Sequence, residues 1–418
     1  MIALEAGFKF GAVDGVRAAP AAAPPAAHAL DALVARPVDA LHPAAIPGLP
    51  IRLPINPTPP LGPLAPMVGS WKGSGFNTIF RPLNPNSPVD PKIFPVKPTG
   101  DNVLELNLTS ESTTFTAIEG DIPNRGMVMP DINLHGMIYL QQINDVTTSP
   151  NVGIHIEPGI WVVIPPTTDP SAGQTVCRMA SIPHGTTINA QGTTTVIAGP
   201  PTIPAVDITP IILSTGNHFK FPSQTATNQG TPRIPQDLTP FITSEKITQA
   251  MLDDPNSVLR NAIAGQKIIS TTQVSISTDL VPPIASGGGT DNIAFLLNGG
   301  EGQDKINNPA SPNANAIRMN ATFWIETVER DITIPIFKVG DPHVELPLPV
   351  THGGGPLKLT IDPARPVTKP VTIKLRFTQI QYTQTVFLNF NGLSWPHVSV
   401  ATLVPSGPVV VPPAAWPA

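Results

Sequence analysis

Proline sets the strongest limit on what this chain can build. Of its 418 residues 54 are proline, and each lacks the backbone N–H that a helix interior needs. Thr, Asn, Val and Ile make up much of the remainder, with 33 glycines. Thr, Val and Ile fit pleated, half-buried strands, while Gly, Pro and Asn fit the turns between them. The expected class is mainly all-β, with many short connections.

Charge narrows the partners. Charged residues are 13% of the chain and the net charge is -5, which leaves no electrostatic footprint for nucleic acid. The one cysteine, Cys177 in TVCRMAS, excludes an internal disulfide framework and reads as a small buried hydrophobe. The opening MIALEAGFKFG lacks a basic start followed by an apolar core, so no signal peptide is evident. No apolar run reaches about 18 residues, so no membrane span is expected. A soluble, cytoplasmic protein follows as the expectation.

Residues 1–62 are rich in Pro and Ala and read as an extended arm without a core of its own. Apolar residues at near-alternate positions from Ile46 to Ile55 favour some wrapping, either around the domain or around a neighbouring copy. Residues 63–404 read as one β domain. In LAPMVGSWKGSGFNTIFRP, small residues at Gly73 and Gly75 would let a strand bend sharply, and Trp71 could plug one end of a barrel. Strands are expected at Val103–Ser110, Ser112–Ile118 and Met137–Ile143. The stretch from Gly153 to Ile197 reads as a meander with hairpin turns.

Residues 199–315 read as a large insertion. It holds two short helices, one from after Thr243 to about Leu252 and one running from Asp254-Pro255 to Gly265. It also holds a strand over Lys267–Thr278. Strand periodicity returns at Ala316–Glu329 and Ile373–Gly392. The last strong strand, roughly Val386 to Val404, carries His397 after Trp395-Pro396. Residues 405–418 form a Pro-rich tail.

Several side chains are candidates for chemistry. His397 sits in an apolar strand, where an imidazole needs a partner or a ligand; spacing alone leaves open a core or rim histidine with a backbone partner. His155 and Glu157 lie two apart and share a strand face, as a proton donor and acceptor pair or as an ordinary strand pair. His184 reads as a turn residue. Tyr139 and Tyr382 read as core tyrosines, and Arg81, Arg125 and Arg178 as strand-end ion pairs or as partners for a bound carboxylate.

Three stretches resemble one family. LAPMVGSWKGSG, HIEPGIW and PHVSVATLV resemble, in that order, the opening, middle and closing strands of nitrobindin-like, fatty-acid-binding-protein-like haem barrels. The resemblance covers about 64–198 and 316–404. It implies an antiparallel calycin-like β-barrel of about ten strands, enlarged here by the insertion and by Pro-rich terminal arms. It also implies haem b with His397 as the metal ligand and His155 near the pocket. Trp71, His155, Trp161, Trp395 and His397 would surround the cofactor. Such a site suits peroxidase-like or peroxynitrite isomerase-like chemistry on a peroxide-like or gaseous ligand, with His155 and Glu157 as catalytic groups. The closing strand departs from the pattern, with Val404-Pro405 where a basic residue often stands. A lipocalin-type carrier of an apolar small molecule without haem is the alternative. A β-rich assembly protein, a homo-oligomer held by its Pro-rich arms, is a third.

Overall fold

A computed structural model describes residues 60–83, 102–279, 288–297, 312–348 and 357–417. Ten strands form the wall of a barrel. They are β1 (Gly69–Pro82), β2 (Asn102–Ala117), β3 (Ile132–Asp145), β4 (Val152–Ile164), β5 (Thr175–Ile182), β6 (Thr186–Ala198), β7 (Lys267–Ser277), β8 (Asn315–Ile334), β9 (Val371–Phe390) and β10 (Leu393–Pro405). Each pairs antiparallel with the next, and β1 pairs with β10 to close the ring. The expected antiparallel barrel is therefore present as an uninterrupted meander, and closure removes the unpaired edges that an open sheet would expose.

The bend expected in β1 has a physical basis. A Cβ on Gly75 would run into the carbonyl of Val400 on β10, so only glycine allows the two strands this close. The first 3₁₀ turn, Gly62–Met67, brings buried Leu64 and Met67 under the barrel. The rest of the N-terminal arm, residues 1–59, lies outside the described residues.

Four expectations about boundaries change. The two strands expected over Val103–Ile118 are one, β2. The stretch from Val386 to Val404 is a hairpin: Asn391 and Gly392 both have positive φ, 50° and 75°, as a two-residue turn between twisted strands requires. The supposed insertion 199–315 is two excursions, because β7 within it is a wall strand between β6 and β8. The long stretches of chain on both sides, 199–266 and 278–314, concealed its membership. Finally, the C-terminal tail is docked on its own chain. Val409–Val410 joins a small sheet with Lys358–Asp362 and Val344–Pro347, and Arg365 lies 3.9 Å over the Trp416 ring.

The first excursion clads the outside of the wall. Its helices α1 (Thr239–Thr243), α2 (Gln249–Asp253) and α3 (Ser257–Ile263) are short. Thr248 caps α2 by accepting from the Met251 N–H, which satisfies an otherwise unpaired donor. Gly265 (φ 75°) ends the region as expected. Leu238, Met251, Leu252 and Leu259 pack against Phe76, Phe80, Leu104 and Leu106 of the wall. Fully buried Arg233 donates to the carbonyls of Ser223, Thr225, Ala226 and Asn228. One guanidinium thus holds a loop that has little regular structure.

Candidate functional site

Alternate residues of each strand point into the barrel, and the interior divides into two halves. The lower half is packed solid by Trp71, Phe115, Tyr139, Trp161, Phe323 and Tyr382. Trp161 meets Phe323 edge-on at 5.2 Å, and Phe323 stacks on Tyr382 at 5.3 Å. Trp71 Nε1 donates to the Met67 carbonyl at 2.7 Å, so the tryptophan plugs the end as its position suggested.

Buried polar groups roof this packing. Arg178, 2% exposed, pairs with Glu157, donates to the Tyr139 hydroxyl at 2.8 Å and donates to Gln384 Oε1 at 2.7 Å. Tyr139 in turn donates to Glu157. Its ring has room because it lies over Gly159, where any Cβ would collide with it. Burial alone would raise the Glu157 carboxyl, but the Arg178 charge and the hydrogen bonds from His155 and Tyr139 outweigh it and hold it at about 2. Beside this cluster Glu111 accepts from Gln141 and Tyr382, both at 2.7 Å, and from Thr113 at 2.9 Å. Burial raises the Glu111 carboxyl despite those donors.

Above the roof the barrel is hollow. A cavity of about 350 Å³ is lined by aliphatic side chains, among them Ile79, Ile143, Ile188, Val386 and Leu388, and by His397, Asn77, Ser399, His155 and His184. His397 lines this space while lying deep in the protein. Burial, and then the nearby His155 and His184, depress its imidazole to about 3, so the ring is neutral at physiological pH. Asn107 donates to Asn77 Oδ1 at 3.3 Å, which turns the Asn77 amide nitrogen toward Ser399 Oγ (2.6 Å) and His397 Nε2 (3.1 Å). With Nε2 accepting, the ring proton resides on Nδ1. Among the described residues no protein group meets Nδ1.

His155 and Glu157 do face the same way. His155 Nε2 lies 3.2 Å from Glu157 Oε2, and the ionised carboxylate keeps the proton on that nitrogen. Glu157 itself is fully buried and committed to Arg178, Tyr139 and His155. It positions His155, which lines the cavity. His184 does occupy the turn between β5 and β6, and it also reaches the cavity, with its ring 5.3 Å from that of His155. Burial, then the neighbouring His155, lowers its pKa.

The three tryptophans expected around a cofactor are elsewhere. Trp71 and Trp161 belong to the packed half. Trp395 lies in the outer cluster, stacked on Phe390 at 4.6 Å and close to Phe80. The β1–β10 pairing ends at Thr78–Val398, and Leu393-Ser394 pair instead with Ile211-Ile212 of the excursion. The parity that points His397 inward therefore does not extend to Trp395. Arg81 and Arg125 form the expected ion pairs with Glu105 and Asp131; Arg178 is an interior residue. Cys177 is buried as expected, its thiol pushed up to about 11 by burial. Asn77 and Ser399 were missed in the sequence, although each shares strand parity with a residue that was singled out, Gly75 and His397.

Among the described residues no group of three or more His, Cys, Asp or Glu is arranged to hold a metal ion, and no helix is long and apolar enough to cross a membrane. No protein-family model matches the chain, and no curated protein matches it. A solved structure titled "Crystal Structure of Rv2717c from M. tuberculosis" aligns with a TM-score of 0.31 and 10% identity, over 82% of this chain and 95% of that one.

Proposed function

We propose that the barrel binds a small apolar molecule against His397, and that haem b is the molecule its donor group suits. One observation carries the reading: an imidazole on the closing strand, held neutral by burial, lines a mainly apolar cavity. An uncharged imidazole is the common protein ligand of haem iron, and a single such ligand is sufficient. The three stretches that resemble, in order, those of nitrobindin-like haem barrels support the same choice. Asn77 now holds Nε2, so that nitrogen becomes free only when the amide lets go. The amide keeps Ser399 and Asn107, and the loss is about 1 kcal/mol for one neutral hydrogen bond. Bound there, haem would supply an iron centre suited to peroxide or nitrogen-oxide chemistry. His155, oriented by Glu157, is the group placed to hold or move a proton in the same cavity.

The Asn77 contact and the modest cavity favour a second reading, an apolar carrier without haem in which His397 only hydrogen-bonds its cargo. Titration of purified protein with hemin separates the two. A Soret band that saturates at one equivalent, and shifts or disappears in His397→Ala, supports the first. Protein that takes up no hemin but binds a fluorescent fatty-acid analogue removes the first and leaves the second.

A further inference from the structure

The wall of the barrel is incomplete beside the cavity. β4 and β5 pair only from Gly159–Ala180 to Ile164–Thr175. The first half of β4, from Val152 to Pro158, has no ladder to β5. Pro158 stands where the ladder stops and has no N–H to give. On its other side the same half-strand is irregular. Ile143 pairs with His155 and Asn144 with Gly153, so Ile154 is an extra residue that bulges from the sheet. A surface recess of about 350 Å³ lies at this place. Four of the residues that line it, Ile143, Ile154, His155 and His184, also line the internal cavity. These side chains thus form a shared boundary of cavity and recess.

His184 spans the split. It comes from the turn that follows β5, lies beside the backbone of the bulged Ile154, and lays its ring 5.3 Å from His155 at an interplanar angle of 33°. His155 is held in turn by Glu157. No strand hydrogen bonds need to break for this opening to widen. The ring contact of His184 with His155 lies across it.

We infer that ligand enters the cavity sideways, through the split between β4 and β5, with His184 as the latch across it. This rests on the proposal that the cavity holds a ligand, but it can be tested without one. In a Cys177→Ala background, Val386→Cys places a single thiol on the cavity wall beside His397. A methanethiosulfonate reagent then reports access to that inner thiol. Val196→Cys in the same background, on an outer position that is 76% exposed, gives a reference thiol for intrinsic reactivity. Removing the latch with His184→Ala raises the labelling rate of the inner thiol by about tenfold relative to the reference thiol, and plugging the split with His184→Trp lowers it by about tenfold. His184→Gln serves if the alanine variant does not fold. Rates within about twofold of each other in all variants, or no labelling of the inner thiol once the latch is gone, overturn the inference. The assay contains no hemin, so a failed hemin titration and a failed gate give separate answers.

Discussion

The two halves of the barrel interior are made from the same strands and perform different work. β9 contributes Ile380 and Tyr382 to the packed half and Val386 and Leu388 to the cavity. β10 contributes Leu403 and Ala401 below, Ser399 and His397 above. β4 contributes Trp161 below and His155 above. A ten-strand barrel is wider than the eight-strand size that ordinary side chains just fill. It stays hollow unless large residues are supplied, and here six aromatic rings and one arginine are supplied at one end only. Packing is concentrated in the filled half and open volume in the empty one.

That division can be broken from either side. The largest effect is expected below the cavity. Arg178→Met strands the buried Glu157 carboxylate and should cost about 3–5 kcal/mol in urea unfolding, and adding Glu157→Gln should recover much of the loss. A recovery that fails would mean Arg178 acts by packing against the rings of Trp161 and Phe323, not by charge. Acid should act on the same pair. Glu157 ionises at about 2 in the folded chain, against an ordinary value of 4.5. Between those values the unfolded chain binds more protons, so a contribution fully present above that ordinary value is lost as pH falls toward the folded one. The loss is about 3 kcal/mol, and it should be absent from the pH profile of the Arg178→Met/Glu157→Gln pair.

Effects on the hollow half should appear in binding and leave folding nearly alone. His397→Ala should weaken hemin affinity by at least about tenfold, or about 1.4 kcal/mol, while shifting unfolding by no more than about 1 kcal/mol, the worth of its Asn77 hydrogen bond. A large stability loss would show that the histidine is part of the packing after all. Asn77→Ala should give the smallest change and the opposite sign. Freeing Nε2 should tighten hemin by about fivefold, since one neutral hydrogen bond no longer competes. Weaker binding would instead identify Asn77 as the group that orients the ring.

Much of this was legible in the residues. The segment VLELNLTS, the glycines at 73 and 75, and the closing strand around His397 mark wall strands, and the resemblance to haem barrels implied their closure. The shared face of His155 and Glu157 followed from a spacing of two. Less visible was β7, because its neighbours in space are separated from it by long loops. Trp395 misled because parity holds only while a strand stays in the wall, and β10 parts from β1 before it reaches that residue. Nothing local marks Arg178 as an interior residue, because its partners come from β3, β4 and β9. Pro158 was a visible sign that a ladder ends, but not of which neighbour it would lose.

By itself the sequence determined the class of structure: proline-limited, strand-forming segments of a period that buries one face. It also placed His155 and Glu157 on one strand face, while leaving His397 open between a core histidine and a ligand. Only the tertiary structure decided that the lower half is full and the upper half hollow, since cavity volume depends on which side chains meet from strands far apart in the chain. It alone decided that Asn77 holds His397, that Glu157 serves Arg178 before it serves His155, and that the wall is split beside His184. Those are properties of register and closure, and register is set by the whole ring of strands together.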